Sequence, residues 1–400
     1  MISIAKAKKL ILENTSVLPV ESKDFEATLG QALAQDVVAA TDWPPFSRST
    51  MDGFALKISD VQSFKSQKAV ALNVVGESKA GQPFLGKIGK GQTVKISTGA
   101  LLPQGADSVV MKEYVKITGD KVVVLGKAFK GDHVRWKGQD AKKNEILISQ
   151  GTQITPGIVA ILASFGQRKI RVFKTPRVGI LTTGDELVGL KSKLKPGQIR
   201  SANEHALAAQ VKQLGADPFV LGHAKDNLAS VVEKIRPGLG FDILLVSGGV
   251  SVGDHDFVRQ ALRKLGAKEI FWKVAVKPGK PLVFAKRGSC HVFGLPGNTV
   301  ASTVSFLTFV RPCILKMSGH KAYLLKTAEA ILDHDICDQD SRAKILRGIV
   351  SAKKGRRCVR LSADQISENV MSMAQANCFW TVEQGVDFIP KGKSITFEYI

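Results

Sequence analysis

The sequence predicts a multidomain protein of the α/β plus β class, with a mostly parallel sheet in its central domain. Three observations predict this class. From Arg177 onward, short apolar strands alternate with amphipathic helices. Between Trp43 and Val134, short β-branched runs are separated by Gly, Pro, Asp and Asn, which is typical of a small β-rich domain. After about Lys326 the chain is β-rich again, which predicts a small C-terminal β-barrel domain.

The length and the changes in sequence texture predict four domains. At about 100 to 200 residues per domain, 400 residues suffice for two to four domains. The predicted divisions are a helical and linking domain (1–42 and 135–173), a β-rich domain (43–134), the α/β domain (174–321) and the C-terminal β domain (322–400).

The helical domain is predicted from apolar spacing of three and four residues. This spacing occurs in two N-terminal segments, Ile4–Asn14 and Phe25–Gln35, and helical character returns after Pro156 in GIVAILASFG. In the α/β domain, RVGILTTG and FDILLVSGG read as strands, and ANEHALAAQVKQLG and DFVRQALRKLG read as helices. The continuous apolar run ILLV fits a strand that is buried on both faces of a parallel sheet.

The chain carries a formal net charge of +22, and the charge is uneven. Residues 166–200 hold nine Lys and Arg against two acids, and residues 259–291 hold nine against one, so the two segments supply seven plus eight of the excess charges. A generally basic proteome would explain this, and so would a cleft that collects anions. Nucleic-acid binding is disfavoured because aromatic residues are only 6% and no recognition motif appears.

Cysteine and histidine usage argues against a disulfide framework and a transition-metal cage. The five cysteines form no C-x-x-C pair, and the seven histidines form no H-x-x-x-H pair. The N-terminus lacks an apolar signal region, and no run of about 18 apolar residues predicts a membrane span. We therefore expect a cytoplasmic protein without a membrane partner.

The segment LLVSGGVSVGDHDFVRQAL, residues 244–262, carries the strongest anion-binding signal. A buried strand runs through a glycine-rich turn into a helix, where free backbone N–H groups can approach a phosphate. Its spacing is neither G-x-G-x-x-G nor a Walker A loop. A plain strand-to-helix turn would have a similar composition. The candidate binding residues are Ser247, Gly248, Gly249, Ser251, Gly253 and Asp254.

Two further turns follow predicted strands. In VAVKPGKPLVF, residues 274–284, Lys277 and Lys280 bracket a Pro-Gly turn and can contact an oxyanion as point charges. In FGLPGNTVASTVSF, residues 293–306, Pro296 and Gly297 end a strand, and Asn298 is predicted to cap the next helix. A solvated basic turn and simple capping are the alternative readings. In parallel sheets, however, ligands bind outside the carboxyl ends of the strands.

Carboxylates occupy the corresponding position in GILTTGDELV, residues 179–188. Asp185 and Glu186 follow the first strand, and Asp226 and Asp256 follow later ones. Mg²⁺ prefers one or two carboxylates together with substrate phosphates, so these residues are candidate magnesium ligands. Surface acids that cap turns are the alternative. In the β-rich half, the segments WPPFSRSTMDGFAL (43–56) and Ser97–Ala100 read as ordered loops, but their residues alone indicate no role.

The order of these motifs resembles the molybdopterin molybdenumtransferases, the MoeA-type family that includes the gephyrin E domain. The matching motifs span nearly the full chain: PPFxxSxMDGFA, STGA, GAD…VVMKE, GQDA, TTGDEL, SGGVSVGD, KPGKP and LPGN. The resemblance implies a MogA-like α/β domain and a homodimer whose cleft lies between that domain and the β-rich domain of the other subunit. It also implies magnesium as cofactor, and adenylylated molybdopterin and molybdate as substrates, with AMP released as molybdenum cofactor forms. A MogA-type adenylyltransferase is an expected partner.

Carried over by motif position, the resemblance implies roles for individual residues. The implied catalytic residues are Asp52, Thr98, Glu186, Asp226, Asp256, Lys277 and Lys280. Of these, Glu186, Asp226 and Asp256 are the implied metal ligands. Besides the glycine-rich turn, the implied substrate-binding residues are Pro296, Gly297, Asn298, Arg135 and Asp140. The chain departs from the family pattern at Thr299, where a proline is usual, and at Arg200-Ser201, where an aromatic residue and Asp are common.

Three other functions are compatible with parts of the sequence. An adenylyltransferase of the MogA type would share the α/β domain, but it would not need the additional β domains or the KPGK turn. A non-catalytic molybdopterin-binding scaffold is also possible, since the gephyrin E domain acts in clustering as well. Nucleic-acid binding is the third alternative, and a salt titration would detect it.

Overall fold

The computed structural model describes residues 1–61, 70–250, 257–337, 340–353 and 355–400. Two compact units are present. The first comprises Met1–Gln35, Gln150–Ala160 and Arg168–Ile400, and the second comprises Asp36–Ser149 and Ile161–Gln167. The finer division into four domains stays a prediction.

Helices and strands follow one another along the described residues in a fixed order. The α-helices are α1 (Ile4–Glu13), α2 (Pro156–Ser164), α3 (Asn203–Gln213), α4 (Leu228–Gly238), α5 (Phe257–Lys264), α6 (Thr299–Ser305), α7 (Arg311–Met317) and α8 (Met371–Gln375). The strands are β1 (Val20–Asp24), β2 (Val37–Val38), β3 (Arg48–Ser49), β4 (Gly53–Leu56), β5 (Ala71–Ser78), β6 (Gln92–Ile96), β7 (Ser108–Met111), β8 (Val115–Thr118), β9 (Lys121–Val124), β10 (Val134–Arg135), β11 (Ile146–Ile148), β12 (Lys169–Phe173), β13 (Arg177–Thr183), β14 (Leu187–Val188), β15 (Ile199–Arg200), β16 (Asp217–Ala224), β17 (Ile243–Ser247), β18 (Lys268–Trp272), β19 (Val276–Lys277), β20 (Val283–Arg287), β21 (Cys290–Leu295), β22 (Thr327–Leu332), β23 (Ile336–Cys337), β24 (Ala343–Lys353), β25 (Arg356–Leu361), β26 (Cys378–Val382), β27 (Phe388–Ile389) and β28 (Ser394–Tyr399).

The N-terminal segment shows one correct helix prediction and one error. Helix α1 forms as predicted, and the Ser3 hydroxyl caps its first turn by accepting from Lys6 N at 3.2 Å. The predicted helix Phe25–Gln35 is wrong, because the chain forms only a 3-10 turn at Phe25–Ala27. Gly30 then adopts φ +84°, which a right-handed helix does not allow, and the chain continues as extended bridges.

A six-stranded sheet in the order β16-β13-β17-β21-β20-β18 confirms the α/β prediction. Strands β16, β13, β17 and β21 are mutually parallel. At one end of the sheet, β20 is antiparallel to both of its neighbours, β21 and β18. In this sheet β16 lies on one side of β13 and β17 lies on the other, so the chain crosses over β13 between β16 and β17. The strand order therefore reverses between β13 and β17, where open α/β sheets have their ligand crevice.

Strand alternation divides the core between the two faces of this sheet. On β17, Ile243 and Leu245 belong to a cluster with side chains of α1, α3, α6 and α7. Leu244 and Val246 point to the other face and join side chains of α4 and α5. All four side chains are buried, and each contributes roughly 1.5–3 kcal/mol of hydrophobic stabilisation. The predicted burial of this strand on both faces is confirmed.

The longest apolar helix runs along one face of the sheet. Helices α6 and α7 are joined by a π-helical turn, Phe306–Val310, into a helix that spans Thr299–Met317. By length and composition this helix could cross a membrane, but 78% of its 18-residue apolar stretch is buried inside the protein. Its side chains belong to the same apolar cluster as Ile243 and Leu245 of β17, so we assign the helix to the core.

A closed barrel forms the C-terminal part of the first unit, as predicted. Strands β24, β25, β22, β28 and β26 are adjacent in this order, and pairing of β26 with β24 closes the ring. Strand β19 adds to the outside of β24 in parallel, with Val276 opposite Ala343 and Lys277 opposite Lys344. This pairing ties the barrel to the turn that follows β19.

The second unit is β-rich, as the sequence predicts. Its main sheet has the order β7-β4-β6-β5-β9-β8. Side chains of this sheet belong to two apolar clusters. One lies around Ala55, Ile96 and Val109, and the other lies around Leu56, Leu72 and Val110. The adjacent residues Ala55 and Leu56 fall into different clusters because successive side chains of a strand point to opposite faces.

Candidate active site

A cavity of about 720 Å³ lies in the first unit at the carboxyl ends of the parallel strands. Its walls come from the turns after β13, β16, β17, β19 and β21 and from the C-terminal barrel. The lining residues are Thr183, Gly184, Glu186, Asp226, Gly248, Gly249, Val250, Lys277, Pro278, Gly279, Lys280, Pro281, Pro296, Gly297, Asn298, Ala301, Arg342, Gln365 and Ser367. Glu186, Lys277 and Asn298, which follow three different strands in the sequence, therefore line one cavity.

The turn after β17 requires glycine at two positions. Gly248 and Gly249 have φ +96° and +63°. A Cβ atom on Gly248 would lie 2.6 Å from Thr183 O, and one on Gly249 would lie 2.9 Å from Thr183 Oγ1. The missing side chains let the ends of β13 and β17 approach closely and leave the backbone open to the cavity. Ser251, Gly253, Asp254 and Asp256 lie outside the described residues.

Ser247, a predicted binding residue, has a local structural role. Its hydroxyl donates to Pro296 O at 3.0 Å and accepts from Asn203 Nδ2 at 2.8 Å. The same Asn203 nitrogen donates to Gly297 O at 2.6 Å. These bonds fix the turns after β17 and β21 relative to the start of α3. Ser247 lines a neighbouring cavity, while Pro296 and Gly297 line the main one.

Three basic side chains line the main cavity: Lys277, Lys280 and Arg342. Lys277 Nζ lies 3.4 Å from Asp340 Oδ2, and Arg342 holds the same carboxylate with two nitrogens at 2.9 and 2.6 Å. The hydrogen bonds from Arg342 and the adjacent Lys277 charge keep the pKa of Asp340 well below its usual range. Asp340 therefore stays ionised and orients two of the three cations. Arg342 was missed in the sequence, where it follows a β-rich stretch without a motif.

The carboxylates Glu186 and Asp226 line the same cavity. The Glu186 carboxylate lies close to Gly184. A Cβ atom on Gly184 would be 2.6 Å from the carboxylate oxygens of Glu186. Asp226 Oδ2 accepts from Asp185 N at 3.4 Å, and Asp185 Oδ1 accepts from Asp226 N at 3.2 Å. These bonds link the turns after β13 and β16. Among the described residues no group of three His, Cys, Asp or Glu could hold a metal by itself.

Asn298 occupies the N-cap position of α6, as expected, but without the expected side-chain hydrogen bond. Instead, Asn298 Nδ2 donates to Ser367 Oγ at 3.2 Å and to Glu368 Oε1 at 2.9 Å. The side chain is drawn away from the helix by a loop of the C-terminal barrel. Gln365 and Ser367 of this loop line the cavity. They loosely match a Gln-x-Ser pattern of the family in QISENVMS, but they were not among the predicted site residues.

A second cavity of about 290 Å³ adjoins the first, and both are lined by Thr183, Glu186, Gly297 and Asn298. Its remaining walls combine neutral hydroxyl and amide groups with apolar side chains and the Arg200 guanidinium. They come from Thr182, Leu187, Ile199, Arg200, Ser201, Ala202, Asn203, Ser247 and Thr299. The buried atoms Thr183 Oγ1 and Asn203 Oδ1 have no hydrogen-bond partner within the described residues. The departures from the family pattern, at 200–201 and 299, thus meet in one cavity.

In the second unit, the predicted residues Thr98, Arg135 and Asp140 line a third cavity, of about 560 Å³, together with Arg48, Ser49, Thr50 and Gly99. Arg135 forms an ion pair with Asp140. Asp52 Oδ1 accepts from Thr98 N at 2.8 Å and from Thr98 Oγ1 at 2.9 Å. The backbone bond and then the hydroxyl bond lower the pKa of Asp52, which keeps this exposed carboxylate ionised.

Comparisons with known proteins agree with this architecture. Three family models match the chain: the MoeA N-terminal region (domain I and II) over residues 2–166, the Probable molybdopterin binding domain over 179–316, and the MoeA C-terminal region (domain IV) over 329–400. A molybdopterin molybdenumtransferase of Nostoc sp. is 36% identical over 387 residues, which cover 94% of this chain and 87% of the relative. That of Haemophilus influenzae is 32% identical and covers 100% and 98%. The crystal structure of a molybdopterin biosynthesis MoeA protein from Pyrococcus horikoshii matches with a TM-score of 0.85 at 27% identity over the full length of both chains.

Proposed function

The chain belongs to the family of molybdopterin molybdenumtransferases, and from that premise we propose that it inserts molybdate into adenylylated molybdopterin and releases AMP. The enzyme is a transferase of molybdenum cofactor biosynthesis. One observation carries the finer proposal. Among the described residues, three basic side chains and two carboxylates line one cavity at the switch point of the parallel sheet.

The basic side chains are suited to bind the anionic substrates. Molybdate is a dianion, and the adenylylated substrate carries phosphates. Lys277, Lys280 and Arg342 offset this charge, while the open backbone of Gly248 and Gly249 supports a close approach of oxyanion groups. Because Asp340 orients Arg342 and Lys277 before any ligand binds, the site loses little side-chain entropy on binding.

The carboxylates fit magnesium by their chemistry. Glu186 and Asp226 offer hard oxygen donors in the same cavity, and Mg²⁺ commonly takes one or two carboxylates and completes its coordination with phosphate oxygens and water. We propose Glu186 and Asp226 as the residues that hold it, with Asp256 as the third candidate. When bound there, the metal supplies charge stabilisation at the phosphate groups of the substrate.

The second cavity is suited to the pterin ring. Apart from Glu186 and Arg200, its walls are neutral hydroxyl, amide and apolar groups, so it carries fewer charged side chains than the main cavity. Thr183 and Asn203 line this cavity, and Thr183 Oγ1 and Asn203 Oδ1 have no hydrogen-bond partner among the described residues. The amino and ring N–H groups of a pterin would donate to such oxygens. We therefore propose that the ring occupies the second cavity while the phosphate end lies in the first.

We further propose that the enzyme acts as a homodimer in the cytoplasm, and that an adenylyltransferase of the MogA type supplies its substrate. The adenylyl group must be attached before this enzyme can release it. Light scattering of the purified protein tests the dimer. Incubation with molybdopterin and ATP separates this function from that of an adenylyltransferase, which would form the adenylylated pterin rather than consume it.

The decisive experiment removes the charge of one predicted magnesium ligand. Glu186→Gln keeps the shape of the side chain, so we expect lower magnesium-dependent AMP release and molybdenum incorporation with an unchanged unfolding temperature. Glu233→Gln, an exposed carboxylate on α4, is the matched control. Wild-type turnover of the Glu186→Gln protein would remove this residue from the mechanism. A wild-type enzyme without molybdate-dependent turnover would favour a scaffold.

A further inference from the structure

A buried arginine holds the loop that forms the barrel side of the main cavity. Arg347 lies on β24, and none of its surface is exposed (0%). Its Nε donates to Ser372 Oγ at 3.0 Å, and its Nη2 donates to Asp364 O and Ile366 O, both at 3.2 Å. A buried guanidinium is unfavourable unless its donors are satisfied. The carbonyl groups of residues 364 and 366 are therefore held tightly in place.

The backbone of Arg347 binds the same loop. Arg347 N donates to Gln365 Oε1 at 2.8 Å, and Gln365 Nε2 donates back to Arg347 O at 3.2 Å. Ser362 N also donates to Arg347 O, at 3.1 Å. Both ends of the Gln365 amide are thus engaged inside the barrel. Gln365 contributes to the cavity as a fixed wall rather than as a free donor.

The outer end of the loop reaches the predicted binding residues. Ser367 lines the main cavity, and its hydroxyl accepts from Asn298 Nδ2, as the Glu368 carboxylate does. The loop of residues 362–368 is therefore fixed at two ends, by Arg347 inside the barrel and by Asn298 at the cavity. Asn298 alone is a weak attachment, because its two bonds are exposed to water.

The charge of Arg347 strengthens its hold. Within the described part of the chain, its side chain donates to neutral oxygens. Burial lowers the pKa of Arg347 to about 10, so the group remains charged at neutral pH. Hydrogen bonds from an ionised donor are stronger than neutral ones. Lysine could not reproduce the planar geometry that reaches three acceptors at once.

We propose that Arg347 is a positioning residue for molybdenum transfer, which holds the loop of residues 362–368 so that Ser367 stays on the cavity wall. The inference rests on the proposed function only in that the cavity binds an oxyanion substrate. Arg347 itself touches neither cavity, so it acts through the loop. A purely structural arginine would instead affect the stability of the whole barrel.

The test compares Arg347→Lys with Arg347→Met and with Leu332→Ala, which weakens the barrel core on β22. Hydrogen exchange, molybdate affinity by calorimetry and unfolding temperature are measured on each full-length protein. We expect Arg347→Lys to fold, to exchange faster in residues 362–368, and to bind molybdate about three- to tenfold more weakly, the loss typical of one hydrogen bond. KM for molybdate should rise more than kcat falls. If Arg347→Met does not fold, Arg347→Lys decides alone.

The control separates positioning from general stability. Leu332→Ala should lower the unfolding temperature while leaving molybdate affinity and exchange of the loop unchanged. Equal weakening of affinity in Leu332→Ala and Arg347→Lys would overturn the proposal, as would unchanged loop exchange in Arg347→Lys. Wild-type protein that binds no molybdate would instead refute the proposed function, and loop exchange would still decide whether Arg347 fixes the loop.

Discussion

Removing single positive charges from the main cavity should show which of its two lysines, Lys277 or Lys280, contributes more to molybdate affinity. Lys280→Met removes a cation that lines the cavity and has no ion-pair partner among the described residues. A hydrogen bond to a charged group contributes about 1.5–3 kcal/mol, so we expect molybdate affinity to fall by roughly 10- to 150-fold. Loss of Lys277 should matter less. Its side chain is 42% exposed and already paired with Asp340 at 3.4 Å, so its charge is partly neutralised by the carboxylate and screened by solvent and contributes less to molybdate binding.

The measurement is calorimetric titration of molybdate at fixed ionic strength, because surface charges are screened within about 10 Å at 0.1 M salt. Lys268→Met is the matched control, since this exposed residue on β18 removes the same charge away from the cavity. If Lys280→Met binds molybdate no more weakly than Lys268→Met, the affinity reflects net charge and not the cavity. A larger loss for Lys277→Met than for Lys280→Met would refute the ranking.

Three further predictions follow from burial and pKa shifts. Burial lowers the pKa of His291, whose folded form binds fewer protons than its unfolded form, so stability is fully present above pH 6.5. The free energy of unfolding should fall as the pH drops toward the lower folded pKa, by at most about 1.4 kcal/mol per pH unit. In chemical denaturation, the free energy of unfolding of His291→Asn should depend less on pH over this range. Alkylation followed by mass spectrometry should label exposed Cys337 in minutes, while Cys313, whose pKa burial raises to about 12, stays unmodified until unfolding; fast labelling of Cys313 would contradict its burial. Thr98→Val removes the hydroxyl bond to Asp52, so NMR titration should show a higher pKa for that carboxyl, and an unchanged pKa would assign the whole shift to the backbone bond.

Local sequence patterns mispredict the structure at two positions where tertiary contacts override a local preference. Asn298 stands at the expected capping position, but the barrel loop offers its amide two acceptors at once. The segment after Phe25 has helical spacing, but Gly30 and bridges to Gln153 and Val172 hold it extended. In both cases the competing partners are more than 60 residues away in the chain. A pattern that repeats every three or four residues contains no information about them.

The site residues that the sequence missed have the same origin. Arg342 and Ser367 lie in the C-terminal barrel, and neither belongs to a glycine-rich turn or to a charged motif. They line the cavity because β24 pairs with β19, the short strand that carries Lys277. Only the pairing of strands distant in sequence brings the barrel to the sheet edge. No pattern along the chain predicts that pairing.

The amino-acid sequence is sufficient to predict the class of protein and the local form of the site. Alternation of apolar residues sets which side chains are buried, and glycine, proline and acidic residues after strands mark where a parallel sheet binds its ligand. Both are short-range effects, so they can be read within a few residues. The barrel wall of the main cavity, the smaller cavity beside it and the buried arginine that holds the barrel loop are visible only in the folded protein. Those features depend on the packing of segments far apart in the chain, which local patterns do not encode.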